Sequence, residues 1–203
     1  MHRTHLLEIL DRYEAVHPSE KSTVARMREL VTTHEDCFLR ACPPGHITAS
    51  CWILSADCTS ALLTHHAKLG RWLQLGGHAD GDPDPFSVAL REAREESGMA
   101  KFREPSGQEV PLPLDIDIHE IPARGDEAAH FHHDLRYLLI AGPNQPLQIS
   151  AESKDLRWIP RDRVVELTDE ESVLRLERKA VVRLGAISNG SAFAGDAVGR
   201  ERG

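Results

Sequence analysis

Three carboxylates define the chemistry open to this chain: Glu92, Glu95 and Glu96, in a segment from Phe86 to Ser97 whose apolar spacing is helical. At about 100° per residue the three fall at roughly 0°, 300° and 40°, so they share one helix face. Like charges at that spacing repel one another, and a cation relieves the repulsion. An all-oxygen donor set suits Mg²⁺ or Mn²⁺ better than a softer metal. Val88, Ala89 and Ala93 lie on the opposite side, where they can pack the helix on a sheet. Ahead of the helix, Gly76 and Gly77 let the backbone approach a metal or a phosphate closely. An isolated string of this kind reads as a solvated helix face.

Here the string has a context. Gly77, Arg91, Glu92, Glu95, Glu96 and Gly98 occupy fixed positions of a longer pattern, with Ala93 and Met99 at its apolar positions. At usage of about 5–7% per residue type, six such matches arise by chance on the order of once in 10⁷ starts. The stretch resembles the Nudix box. One box position departs from it, because Pro83 stands where the first Glu of the box belongs, flanked by Asp82 and Asp84. The resemblance implies a Nudix-like α/β/α sandwich with a mixed sheet and a pyrophosphohydrolase activity. It implies Glu95 and Glu96 as metal ligands, Gly76 as a further ligand through its carbonyl, and Glu92 as a ligand or as the base that activates water. Arg91 is implied to orient the glutamates through an ion pair. The departure at Pro83 bears on loop geometry or an auxiliary metal contact more than on the reaction.

Other polar groups are weaker candidates. His130, His132 and Asp134 alternate on an expected strand and so face one way, while Phe131, His133 and Leu135 face the other. The two histidines can bind metal, contact phosphate or hydrogen-bond at a sheet edge. His78, beside the glycines, can meet a substrate phosphate or bond within its loop. Arg136 and Tyr137 can bind substrate or pack. Asp80, Asp82 and Asp84 suggest a calcium loop, but Pro85 and Arg91 stand where that loop needs Gly and Glu. Glu127 and Glu152 are candidates for an additional acidic ligand or base. Trp52, Trp72 and Trp158 read as core or pocket wall.

The elements that must position these groups follow from patterning. Leu6 to about Val31 reads as two short helices parted at Pro18 and Ser19. His46 to Ala56 and Ala61 to His65 are β-rich and separated by a polar turn, which makes a hairpin or meander. A Gly/Asp/Pro loop from Gly76 to Pro85 leads to the glutamate helix, which Gly98 closes. Leu114 to Ile121, Phe131 to Ala141 and Asp155 to Ile159 are strands, and Asp169 to Leu184 is a final helix. The expected organisation is an N-terminal helical extension over residues 1–40, a Nudix domain over 41–184, and a small, polar, loosely ordered tail over 185–203.

Bulk properties agree. A chain of 203 residues suits one domain with peripheral decoration. It carries no apolar run of membrane-spanning length and no signal-peptide pattern at its start, so a cytoplasmic protein without a membrane partner is expected. A net charge of −8 argues against holding duplex nucleic acid over a broad basic face. Cys37, Cys42, Cys51 and Cys58 form neither a zinc pair nor a disulfide framework. The expected function is Mg²⁺- or Mn²⁺-dependent hydrolysis of a diphosphate linkage in a small-molecule nucleoside diphosphate derivative, by a monomer or a homodimer. Two rivals stand beside it: a Nudix-fold protein that binds a nucleotide or metabolite without turnover, and an allylic diphosphate isomerase using Cys51 or Cys58.

Overall fold

A computed structural model describes residues 2–125 and 128–189. Helices α1 (Thr4–Val16) and α2 (Lys21–Thr33) come first, joined by a short 3₁₀ turn over Pro18–Glu20. The break is where the helical spacing is interrupted by Pro18, a residue suited to the first turn of a new helix. Then follow β1 (Gly45–Leu54), β2 (Ser60–His66), β3 (Trp72–Leu73), β4 (Leu75–His78), α3 (Pro85–Ser97), β5 (Phe102–Arg103), β6 (Asp115–Ile121), β7 (His130–Ala141), β8 (Ser153–Pro160) and α4 (Glu171–Ser188). The final helix runs to Ser188, past the expected end at Leu184. Residues 190–203, and with them most of the expected tail, lie outside the described residues. No helix among the described residues is long and apolar enough to cross a membrane.

The strands form one mixed sheet built around β1 and β7, which pair in parallel along their length from Gly45↔Phe131 to Leu54↔Ile140. The other pairings are antiparallel: β4 covers the first part of β1's other edge and β2 the end of it, while β6 and β5 cover β7. Alternation along the strands separates two apolar layers. Ile47, Ala49, Cys51, Leu135, Tyr137 and Leu139 pack with the buried faces of α1, α2 and α3. Trp52, Leu54, Leu138 and Ile140 face the other way, against Val173, Leu176 and Ala180 of α4. This is the expected α/β/α sandwich with a mixed sheet.

A buried ionic cluster fastens the N-terminal helices to α4. Asp115 on β6 is fully buried and accepts from Arg136, from Arg175 at 3.1 Å and from Lys179 at 2.5 Å. Lys179 also reaches Glu20 at 2.6 Å, and Glu20 accepts from the Tyr13 hydroxyl at 2.7 Å. Burial alone would raise the pKa values of Asp115 and Asp117, but Arg136, Arg175 and Lys179 around Asp115, and the His119 hydrogen bond with Arg136 and Arg175 at Asp117, outweigh it and hold both below the usual carboxylate range.

Candidate active site

Helix α3 starts where Asp84 accepts from the Phe86 N–H at 3.1 Å and from the Ser87 hydroxyl at 2.7 Å, with Pro85 in its first turn. It ends at Gly98, whose φ of 71° is the left-handed conformation that glycine adopts without penalty. Asp82 accepts from the Asp84 N–H at 3.0 Å, so the two acids beside Pro83 shape the loop and cap the helix. Val88, Ala89 and Ala93 anchor α3 on the sheet. Its glutamate face is thereby turned toward β4.

The contact between α3 and β4 is made through the two glycines. Glu96 is buried, and its Oε2 accepts from the Gly76 N–H at 3.0 Å. The Glu92 carboxylate lies against Gly77: a Cβ there would fall 2.5 Å from Glu92 Cδ and 2.6 and 2.7 Å from its oxygens. Arg91 donates from Nη2 to Glu92 Oε1 at 2.8 Å and to the His78 carbonyl at 2.6 Å. Glu95 is exposed. Burial pushes the Glu96 carboxyl up to about 7, which the Gly76 N–H offsets in part and the neighbouring Glu92, Glu152 and Glu95 reinforce. Burial also raises Glu92, against the pull of Arg91. Partly buried carboxylates that repel one another are an environment a hard dication stabilises, and the donor set is all oxygen. The chemistry of these residues therefore fits a hard divalent ion.

Several other candidates gather at the same place. Glu152 is close enough to raise both Glu92 and Glu96. Arg40 makes a two-pronged pair with Asp80 at 2.6 and 2.8 Å and lies within the field of Glu92 and Glu152. The sequence carries no sign of Arg40, because it precedes β1 in a segment without periodicity. Glu127 lies outside the described residues.

The histidines form a separate group. His78, His130 and His132 lie with His46 and His119 on the sheet face opposite α3; His132 stands directly across from His46 on β1 and from His119 on β6. Ring centroids are 4.9 Å apart for His46 and His132, 5.0 Å for His46 and His130, and 5.0 Å for His78 and His132. Burial lowers the His78 pKa to about 4, helped by Arg40 and His46, and the His132 pKa to about 2, helped by the neighbouring imidazoles. Asp134, on the same face, accepts from the Thr48 and Ser50 hydroxyls at 3.0 and 2.7 Å. His46 and His119 are not evident in the sequence, since only strand register makes them neighbours of His132.

One expectation is corrected. Arg136, a sequence candidate for substrate binding, is 1% exposed and commits its guanidinium to Asp115, Asp117 and the Ser172 carbonyl. It is a structural cation, placed inside by the strand alternation that puts Leu138 and Ile140 on the same face. Tyr137 is buried against Phe86, with ring centroids 5.2 Å apart. Cys51 is fully buried, with its Sγ 3.5 Å from the Leu75 carbonyl, and burial, reinforced by Glu96, Asp134 and Glu92, pushes its thiol well above the usual range; Cys58 sits at a φ of 60° in the β1–β2 turn. Trp52 is core, with its Nε1 donating to Glu177 at 3.2 Å.

No protein-family model matches the sequence, and no curated protein matches it. Solved structures do. A hydrolase of the NUDIX family from Clostridium perfringens is 23% identical, with a TM-score of 0.54 over 68% of this chain and 97% of that one. The Escherichia coli dihydroneopterin triphosphate pyrophosphohydrolase is 14% identical, with a TM-score of 0.53 over 68% of this chain and 95% of that one. A Caenorhabditis elegans Ap4A hydrolase in a binary complex is 18% identical, with a TM-score of 0.50 over 69% of this chain and 98% of that one. With the sheet topology and the α3–β4 geometry described above, these likenesses show that the chain has the Nudix fold.

Proposed function

We propose that the protein is a pyrophosphohydrolase that cleaves a diphosphate linkage in a nucleoside diphosphate joined to another group. The observation that carries this reading is the apposition of Glu92 and Glu96 to Gly77 and Gly76, with Arg91 tied to Glu92 and to the β4 backbone. The names of two structural neighbours, an Ap4A hydrolase and a dihydroneopterin triphosphate pyrophosphohydrolase, support a phosphoanhydride as the bond attacked. The fold alone does not choose among substrates.

Glu92, Glu95 and Glu96 would hold Mg²⁺ or Mn²⁺, with the Gly76 carbonyl as a further ligand. When bound, the ion supplies positive charge to the phosphate oxygens and acidifies water. Arg91 keeps the Glu92 carboxylate against Gly77, in position to ligate or to take a proton from the attacking water. The Gly76 N–H holds Glu96 in one orientation. Arg40 supplies a cation near the glutamates for the substrate's phosphates. On this reading the enzyme is cytoplasmic. The isomerase reading would need the Cys51 thiol, which is fully buried and held well above its usual range by burial and by Glu96, and the binding-only reading leaves the crowded glutamates without a task.

A panel of nucleoside triphosphates, nucleotide sugars, dinucleotides and coenzyme derivatives tests the proposal, with products identified by mass spectrometry. Cleavage at a phosphoanhydride that requires added Mg²⁺ or Mn²⁺ is expected. Undiminished turnover of metal-free protein in excess EDTA would overturn it, as would a product of unchanged mass.

A further inference from the structure

The face of the sheet opposite α3 holds a cluster of imidazoles that the proposed hydrolysis does not use. Strand register puts His46, His132 and His119 in one row across β1, β7 and β6, and His130 is the next residue of β7 on that face. A neutral imidazole offers one N–H and one lone pair. The His130 Nδ1 lies 2.9 Å from the Ala128 carbonyl oxygen, which can only accept, so Nδ1 carries the proton and Nε2 is the unprotonated nitrogen. A carbonyl on the far nitrogen is the arrangement that orients a metal-ligating histidine. The His132 Nε2 is buried and has no hydrogen-bond partner among the described residues. Ligand nitrogens of His46, His130 and His132 all lie within 4.8 Å of one another.

We propose that His46, His130 and His132 form a second metal site, separate from the glutamates, that takes a divalent transition ion of the zinc class. Imidazole nitrogen suits zinc and its neighbours, whereas Mg²⁺ prefers oxygen. Three nitrogens about 2.0–2.1 Å from a tetrahedral ion stand roughly 3.3 Å apart, which ring rotations reach from the present spacing. His78 lies beside the three, with its ring 5.1 Å from His46 and 5.0 Å from His132. Asp134 is engaged by Thr48 and Ser50, so the ligand set is nitrogen only. The site reassigns His130 and His132 from substrate contacts to metal ligands. A simple stack of neutral rings would pair each lone pair with a neighbouring N–H. Among the described residues the buried His132 Nε2 has no such partner.

The full chain, stripped with chelator and kept in excess Mg²⁺ to fill the glutamate site, is titrated with Zn²⁺ by calorimetry. X-ray absorption at the zinc edge is then measured on the one-to-one complex. One saturable equivalent, a shell containing three imidazoles and a raised melting temperature are expected. Loss of an outer partner already weakens metal binding about 10–100-fold, so His46→Gln, His130→Gln and His132→Gln should each cost at least about 100-fold in Zn²⁺ affinity. Cys42→Ser should leave that affinity unchanged; it removes the other group of metal-capable residues, His34, Asp36 and Cys42. No saturable equivalent, an oxygen-only shell, a sulfur ligand, or affinity unmoved by the histidine substitutions would each overturn the assignment. Metal-free melting of each variant checks its fold, and the wild-type absorption spectrum decides the ligands without any variant.

Discussion

Gly77→Ala separates the fold from the chemistry. The added Cβ would stand 2.5 Å from Glu92 Cδ, where unstrained carbon contacts begin at about 3.5 Å, so the carboxylate must retreat by roughly 1 Å. The atoms it meets are the end of a side chain, which can swing. Gly77 is not among the positive-φ glycines, so its backbone accepts alanine. Stability should therefore stay within about 1 kcal/mol of wild type. A displacement of about 1 Å at a reacting group costs on the order of 100-fold in rate, or about 2.7 kcal/mol of barrier. Gly76→Ala is the contrasting change: its Cβ would fall 2.2 Å from Ser50 Cβ, 2.5 Å from Ser50 Cα and 2.8 Å from the Ala49 carbonyl oxygen. Those atoms belong to β1, so the β1–β4 pairing must open. Steady-state kinetics on a substrate from the panel, with urea midpoints in parallel, should show Gly77→Ala stable and slow and Gly76→Ala unstable. Wild-type turnover by a folded Gly77→Ala protein would refute the idea that Glu92 must sit against Gly77 for catalysis.

Glu95→Gln and Glu96→Gln should each lower turnover by orders of magnitude while metal-free melting temperature holds or rises, because one of three mutually repelling charges is gone; near-wild-type rates in both would end the metal-cluster reading. Asp115→Asn leaves Arg136 buried beside a neutral amide and should cost about 3–5 kcal/mol, or about 6–20 °C in melting temperature for a chain of this size; calorimetry showing less than about 1 kcal/mol would contradict the cluster's structural role. Asp115 and Asp117 titrate below their unfolded value of about 3.9. Their stabilisation is thus present above that pH and lost as pH falls toward the folded values. Urea midpoints measured below about pH 4 should fall less steeply in Asp117→Asn than in wild type; parallel curves would refute the assignment.

The two helices parted at Pro18, the hairpin of β1 and β2, the glutamate helix with its Gly98 cap and the late strands were legible because each is a local pattern. Period and punctuation sit within a few residues of one another. The sequence contains no comparable signal for β5, two residues long, or for β4, whose Gly76 and Gly77 look like loop. Their strand character comes from partners far along the chain.

The same division holds for the site. Residue types and spacing by themselves determined that Glu92, Glu95 and Glu96 share a face and that glycines precede them, since both follow from helix geometry and the absence of a side chain. Tertiary structure alone decided that Glu92 rests on Gly77, that Arg136 is buried beside Asp115, and that Arg40 enters the field of the glutamates. It also decided that histidines from β1, β4, β6 and β7 meet on one face. The physical reason is register: the parallel pairing of β1 with β7 joins segments more than 80 residues apart, as in Thr48 and Asp134. A shift of one residue would send His46 and His132 to opposite faces. Nothing local in either strand specifies that register; the apolar layers on the two sides of the sheet do.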